Sequence, residues 1–109
     1  MTHSVIKTAV ATAALLLALS PAAVLSADGE KLYQTKTCST CHGKDGKSPI
    51  MPMYPNIAGQ NQAYTLQQLK DIKSGARNNG QTAAMKGVMG LVSDDEMKSL
   101  SEYIATMTP

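Results

Sequence analysis

Residues Cys38–His42 form the motif that most constrains this chain: two cysteines separated by two residues, followed at once by a histidine. This pattern is typical of the covalent attachment of a c-type haem. Two thiols at this spacing can add to the two vinyl groups on one side of a porphyrin. The adjacent His42 then supplies an imidazole nitrogen as an axial ligand of the iron. The motif therefore predicts one haem c per chain, held by Cys38 and Cys41.

Other uses of a cysteine pair fit this sequence less well. A redox dithiol is expected after a strand in a βαβ unit, and no strand-like alternation precedes Cys38. A zinc site needs four ligands, but the sequence offers the two cysteines and one further plausible ligand nearby. A disulfide across so short a loop would constrain the unfolded chain little.

The N-terminal segment is typical of a secretory signal peptide. A short polar start containing Lys7 precedes an apolar run at residues 8–19, which Ser20 and Pro21 interrupt before a stretch of small residues. We expect cleavage near Ala27. An uncleaved membrane anchor is the alternative, but the run is shorter than the roughly 20 apolar residues that a membrane span needs.

The sequence thus predicts a leader at residues 1–27 and an exported domain at residues 28–109, periplasmic in a Gram-negative source. Loss of Lys7 with the leader leaves the domain with a net charge of about +1, which does not suit a nucleic-acid binder.

The chain has no Trp and no Phe, and so small a domain is hard to stabilise with its own apolar surface. A covalently tied haem would supply a large apolar body at its centre.

The pattern along residues 28–109 predicts an all-α fold of three main helices and loops. A first helix is expected at 28–37, capped by Asp28, and a second is expected to start at Asn61 and end at Gly75. One or two helical turns are expected at 82–90. Ser93 and the acidic residues after it form a capping box that opens the last helix. The expected apolar positions of the second and last helices are Tyr64, Leu66, Leu69, Ile72, Met97, Leu100, Tyr103, Ile104 and Met107.

The segment at residues 49–59 contains three prolines and is therefore neither a regular helix nor a central strand. It is too apolar for a solvated loop, so we expect it to lie extended against a hydrophobic surface such as a haem face next to His42. On this interpretation Met51 and Met53 are packing residues.

Taken together, these motifs resemble those of class I c-type cytochromes. The likeness rests on a helix leading into C-x-x-C-H-G, the P-N-I-A-G-Q segment at 55–60, a Y-x-x-x-Q-L helix ending in G-x-R, a methionine loop and an S-D-D-E-opened last helix. The closest similarity is to small bacterial soluble cytochromes and to single domains of dihaem ones. Gly29 and Tyr33, however, stand nine and five residues before Cys38, one more than is usual in the family, as if Thr37 were an extra residue.

The resemblance assigns roles to particular residues. It implies that Cys38 and Cys41 carry the thioethers, that His42 is the proximal ligand and that the Pro55 carbonyl accepts a hydrogen bond from the other nitrogen of that imidazole. It also implies that the first and last helices cross, with Leu32 and Tyr33 packing against Leu100, Tyr103 and Ile104.

For the distal ligand the resemblance favours Met85, which stands eight residues before Ser93. Met89 is the alternative, since the spacing alone does not forbid it; otherwise it packs at the haem periphery beside Val88 and Leu91. Arg77 is either a propionate contact or a solvated surface residue. The cluster of Lys31, Lys36, Lys44 and Lys47 is either a basic docking rim or a solvated face.

The resemblance implies a one-electron carrier, not an enzyme, that meets redox-partner proteins transiently and has no stable membrane insertion after leader cleavage. Two other functions fit the same residues. The chain could be the haem subunit of a larger dehydrogenase or reductase. It could also be a five-coordinate haem protein that binds a gas or reduces peroxide, if no methionine binds the iron.

Overall fold

The computed structural model of the chain describes residues 21–109, which form five α-helices and no β-strand. The helices are α1 (Pro21–Thr35), α2 (Cys38–His42), α3 (Gln62–Ser74), α4 (Thr82–Met89) and α5 (Asp94–Thr106). The predicted all-α class is therefore confirmed over this range. No helix within it is both long and apolar enough to cross a membrane. Most of the predicted leader, residues 1–20, lies outside the described residues, so its cleavage stays a prediction.

The first helix has other bounds than the sequence predicted. Within the described residues α1 already runs from Pro21, so Asp28 lies inside the helix and the prediction that Asp28 caps it is wrong. The alanines and the leucine that follow Pro21 favour a helix. The helix ends at Thr35, two residues earlier than expected, because Lys36 and Thr37 form a turn.

Thr37 has a left-handed backbone, with φ at 66° and ψ at 13°. It is the only non-glycine residue with a positive φ in the described part of the chain. Its N–H donates to the Gln34 carbonyl at 3.2 Å, and its own carbonyl accepts from the Thr40 N–H at 3.1 Å. Thr37, which the resemblance marks as an extra residue before Cys38, thus lies in the turn that joins α1 to α2.

Helices α1 and α5 pack closely, as the resemblance implied. A β-carbon placed on Gly29 would lie 2.1 Å from the Ser99 carbonyl oxygen, so only glycine allows the backbones to come this near. The rings of Tyr33 and Tyr103 meet edge to face, with their centroids 5.6 Å apart. The predicted contact between the first and last helices is therefore confirmed despite the extra residue.

The predicted boundaries of α3 and α5 agree with the structure. The Asn61 side chain caps α3 by accepting a 3.1 Å hydrogen bond from the Tyr64 N–H, and Gly75 ends the helix with a φ of 87°. Ser93 and Glu96 form the predicted capping box through reciprocal bonds of 3.2 and 3.0 Å. The bond from the Ser93 N–H holds the pKa of Glu96 below its usual value.

The core lies between α1, α3, α5 and the end of α4. Its buried apolar members are Tyr33, Leu69, Ile72, Met89, Val92, Met97, Leu100 and Ile104. Leu66, Tyr103 and Met107 are partly buried against this cluster. Tyr64 is 53% exposed and lies outside the core cluster, but it lines the cavity described below.

The proline-rich segment has no helix or strand, as predicted. It is tied to the rest of the chain by hydrogen bonds from the Ile50 N–H to the Cys41 carbonyl and from the Ile57 N–H to the Gly46 carbonyl, at 3.0 and 2.8 Å. Met51 is 41% exposed, so the expectation that it is a packing residue is wrong, whereas Met53, 56% exposed, lines the cavity described below.

Candidate functional site

The two cysteines lie on one short helix. Helix α2 consists of Cys38–His42 alone, and residues three apart lie on the same side of a helix. Both thiols are free, and both line one cavity together with the buried imidazole of His42. The cysteine pair and the histidine that the motif predicted are therefore brought together at one site.

The cavity has a volume of about 390 Å³, within the range of small-molecule and cofactor pockets. Its lining is mainly apolar and comes from four helices and the proline-rich segment. The apolar lining residues include Met53, Pro55, Ile57, Leu69, Ile72, Met85, Val88, Met89, Leu100 and Ile104. Such a lining excludes water from whatever binds beside His42.

His42 is oriented by the proline-rich segment. Its Nδ1 lies 2.9 Å from the Pro55 carbonyl oxygen. Because a carbonyl can only accept a hydrogen bond, Nδ1 carries the proton and donates it. Nε2 is therefore the ring nitrogen that can bind a metal, as it does when the imidazole is neutral. A hydrogen bond of this kind fixes the tautomer and raises the basicity of a metal ligand.

The acidity of Cys38 argues against a redox dithiol. Burial raises the pKa of the Cys38 thiol to about 11, with the neighbouring Cys41 adding to the effect. Catalytic thiols of C-x-x-C motifs have lowered pKa values, because the thiolate is the nucleophile. Cys38 is thus a poor redox nucleophile in the folded chain.

Both candidate distal ligands lie on α4 and line the cavity. Met85 is half-buried, whereas Met89 is only 2% exposed and belongs to the core cluster. Leu91, expected to pack beside Met89 at the haem periphery, is 74% exposed and is not among the cavity residues. Met85 thus has a smaller structural role than Met89, and the choice between them as ligand stays a prediction.

Arg77 lies at the cavity and is half-buried, and its Nη1 donates to the Gln68 side chain at 3.2 Å. Arg77 is therefore not a fully solvated surface residue.

Of the four lysines near the motif, Lys36 and Lys47 donate to backbone carbonyls within the chain. Lys31 and Lys44 are exposed.

Polar residues of α3 also line the cavity and were missed in the sequence. Thr65 is 4% exposed and donates to the Gln60 side chain at 2.8 Å, and Gln68 accepts from Arg77. Thr65, Gln68, Leu69 and Ile72 recur at the three- and four-residue steps of one helix face. That spacing was the sequence signal that these polar residues share a face with Leu69 and Ile72. The apolar Tyr64 and Leu66 obscured it, because they suggested a different apolar face.

The donor set fits a covalently bound haem c. Two free thiols on one turn of helix, an imidazole whose Nδ1 is bonded to the Pro55 carbonyl and thioethers on a separate helix share one mainly apolar cavity. Thiols for covalent attachment and nitrogen or sulfur for axial ligation are what such a haem requires. Fold and site together define the c-type cytochrome class.

Comparison with known proteins agrees with this class. The family model described as Cytochrome c matches residues 26–108, and the chain belongs to this family. A cytochrome c4 from Stutzerimonas stutzeri is 35% identical over 88 residues, which cover 73% of this chain and 42% of that protein. A cytochrome c-553 from Nitratidesulfovibrio vulgaris (strain DSM 19637 / Miyazaki F) is 32% identical, over 84% of this chain and 87% of that protein.

The fold agrees as well. The crystal structure of reduced recombinant cytochrome c4 from Pseudomonas stutzeri superposes with a TM-score of 0.70 at 33% identity, covering 78% of this chain and 49% of that one. The chain therefore has the cytochrome c-like fold, and it spans less than half the length of the cytochromes c4 that it matches. It is a member of the cytochrome c family, similar to single domains of these longer cytochromes.

Proposed function

We propose that this chain is an exported, periplasmic one-electron carrier whose haem is bound through Cys38 and Cys41, with His42 and Met85 as axial ligands of the iron. The observation that carries the proposal is the hydrogen bond between His42 Nδ1 and the Pro55 carbonyl at the cavity that Met85 also lines. A haem bound in this way supplies reversible one-electron chemistry.

The residues of the chain account for the other requirements of such a carrier. The Pro55 carbonyl holds the imidazole proton on Nδ1 and so keeps Nε2 available for the iron. A thioether sulfur as second ligand favours the reduced state and raises the potential. If His42 and Met85 both bound the iron, no position would be left for a substrate, as expected of a carrier and not of a gas-binding or peroxidatic protein.

Partners are proposed to be redox proteins that dock briefly over small interfaces. One relative, from Stutzerimonas stutzeri (strain A1501), is named a thiosulfate dehydrogenase electron acceptor and is 34% identical over 102 residues, covering 87% of this chain and 44% of that protein. That name supports acceptance of electrons from a dehydrogenase as a second, more specific candidate. In that case the chain is either a free acceptor or a fixed subunit of the enzyme.

The function is tested by reconstituting electron flow between the purified holoprotein and native membranes and periplasm. A carrier is reduced by one fraction and reoxidised by the other, at rates that rise with its concentration. Co-purification with a stoichiometric catalytic chain would favour the subunit alternative. Export is tested by mass spectrometry of periplasmic holoprotein, which should give a chain starting at Ala27 or Asp28 plus one haem.

A further inference from the structure

Two lysines bind the link between α4 and α5. The N–H groups of Leu91 and Val92 close the end of α4 by donating to the carbonyls of Val88 and Met89, at 3.0 and 3.1 Å. Within residues 21–109, neither the Leu91 nor the Val92 carbonyl accepts a hydrogen bond from a backbone N–H. Both accept from lysines that lie far away in the sequence.

The lysines approach from two different helices. Lys36, in the turn after α1, donates from Nζ to the Leu91 carbonyl at 2.8 Å, and its ammonium lies 3.7 Å from Glu96 Oε2. Lys73, in the last turn of α3, donates from Nζ to the Val92 carbonyl. The carbonyl end of a helix also carries a partial negative charge that attracts cations. The α4–α5 link is thus fastened both to the α1 side and to the α3 side of the molecule.

This link is one of the attachments that hold α4 in place. Helix α4 has only eight residues, too few to be stable without tertiary contacts. Among the described helices, only α3 approaches its backbone closely. Besides this contact and the buried side chains of Met89 and Val92, the distance from α4 to His42 on α2 depends on how firmly the link after Met89 is held.

We propose that Lys36 and Lys73 are positioning residues that keep α4 at the distance from His42 at which its methionine binds the iron. The proposal rests on the proposed function, in which that methionine is Met85. A hydrogen bond from a charged donor to a carbonyl is among the stronger ones in proteins. Removing one of them favours a form in which α4 has moved and the methionine has left the iron.

The test uses the ferric holoprotein and added imidazole, which competes with the methionine for the iron. Loss of the sulfur-to-iron charge-transfer band measures the displacement. In Lys73→Gln and in Lys36→Gln we expect imidazole to bind about three- to tenfold more tightly than in the wild type. Lys70→Gln is the matched control, because Lys70 is an exposed lysine of the same helix as Lys73, and it should bind imidazole as the wild type does. Lys73→Arg keeps a charged donor and should restore most of the wild-type behaviour.

A second measurement separates positioning from general stabilisation. Unfolding of each holoprotein by denaturant measures its global stability. The imidazole titration is made without denaturant, on the folded protein, and so reports the position of α4. Unchanged imidazole affinity in both Gln variants, with the band present in the wild type, overturns the lysine proposal and leaves the proposed function intact. A wild type without the band overturns both. Loss of the band in Met89→Ala instead of Met85→Ala corrects the ligand alone, because both methionines lie on α4.

Discussion

The hydroxyl of Tyr33 donates a 2.7 Å hydrogen bond to the carbonyl of Gly43, the residue that follows the proposed ligand His42. The Tyr33 side chain is buried, and its ring packs against Tyr103 of α5. One residue therefore joins the contact between α1 and α5 to the end of the haem-attachment motif.

Replacement of Tyr33 by Phe tests this link. The change keeps the ring contact and removes one hydrogen bond, while the Gly43 carbonyl still accepts from the Gly46 N–H at 3.1 Å. The free energy of unfolding should therefore fall by about 0.5–1.5 kcal/mol. Denaturant unfolding of the holoprotein measures it. Tyr103→Phe is the control, because it removes a hydroxyl at the same ring contact and should change the stability by less than about 0.5 kcal/mol. Equal losses in the two variants would contradict a specific role for the Tyr33 hydroxyl.

Stability should fall at alkaline pH because of the same tyrosine. Burial raises the pKa of Tyr33 well above its usual value of about 10. The unfolded chain therefore loses the phenolic proton while the folded chain keeps it, and the folded state loses stability as the pH rises above about 10. Below that pH the contribution is fully present.

The measurement is the free energy of unfolding at a series of pH values from about 8 to 11. Tyr33→Phe should show a shallower alkaline decline than the wild type. Burial raises the pKa of Tyr103 as well, so a smaller decline should persist in that variant. Parallel curves for the wild type and Tyr33→Phe would show that another group causes the alkaline loss.

The left-handed backbone of Thr37 makes a prediction about strain. A β-branched residue in this conformation costs about 1–2 kcal/mol, and glycine adopts it freely. Thr37→Gly should therefore leave the stability unchanged or raise it by about 1 kcal/mol, after allowance for the greater freedom of glycine in the unfolded chain. Thr40→Gly, inside α2, should lower it by about 1 kcal/mol. Similar destabilisation by both changes would mean that the turn is not strained.

Covalent attachment gives a prediction for the cysteines. Thioether bonds survive denaturation and acid–acetone extraction, so the pigment of the wild-type protein should stay with the polypeptide. In the double variant with Cys38→Ala and Cys41→Ala, haem should be extractable or absent. Haem staining after denaturing electrophoresis distinguishes the two cases, and free extraction of the wild-type pigment would refute attachment through these thiols.

Local signals in the sequence were sufficient for much of the fold and the attachment site. The Asn61 cap, the Gly75 terminus and the Ser93 capping box depend on residues within one turn of each other, and each is found where it was predicted. The cysteine pair and His42 are likewise a local motif, because one turn of helix α2 places all three at the same cavity.

The features that were missed depend on tertiary contacts. Nothing in the local sequence indicates that Lys36 and Lys73 reach carbonyls 55 and 19 residues away. Burial of Thr65 was also missed, because polar residues count against an apolar helix face unless their partner, here Gln60, is known. The exposure of Met51 could not be predicted for a similar reason: composition shows how apolar a segment is, but not which side chains it turns outward.

The central claim is that His42 and Met85 occupy both axial positions of the iron, and the most direct test compares Met85→Ala with Met89→Ala. The wild type should show the sulfur-to-iron charge-transfer band when oxidised and should not bind carbon monoxide when reduced. Met85→Ala should lose the band, bind carbon monoxide and have a lower potential. Met89→Ala should keep the band and lose about 2–5 kcal/mol of stability, because it removes a buried side chain. A wild-type protein that binds carbon monoxide readily and lacks the band would contradict the six-coordinate electron carrier.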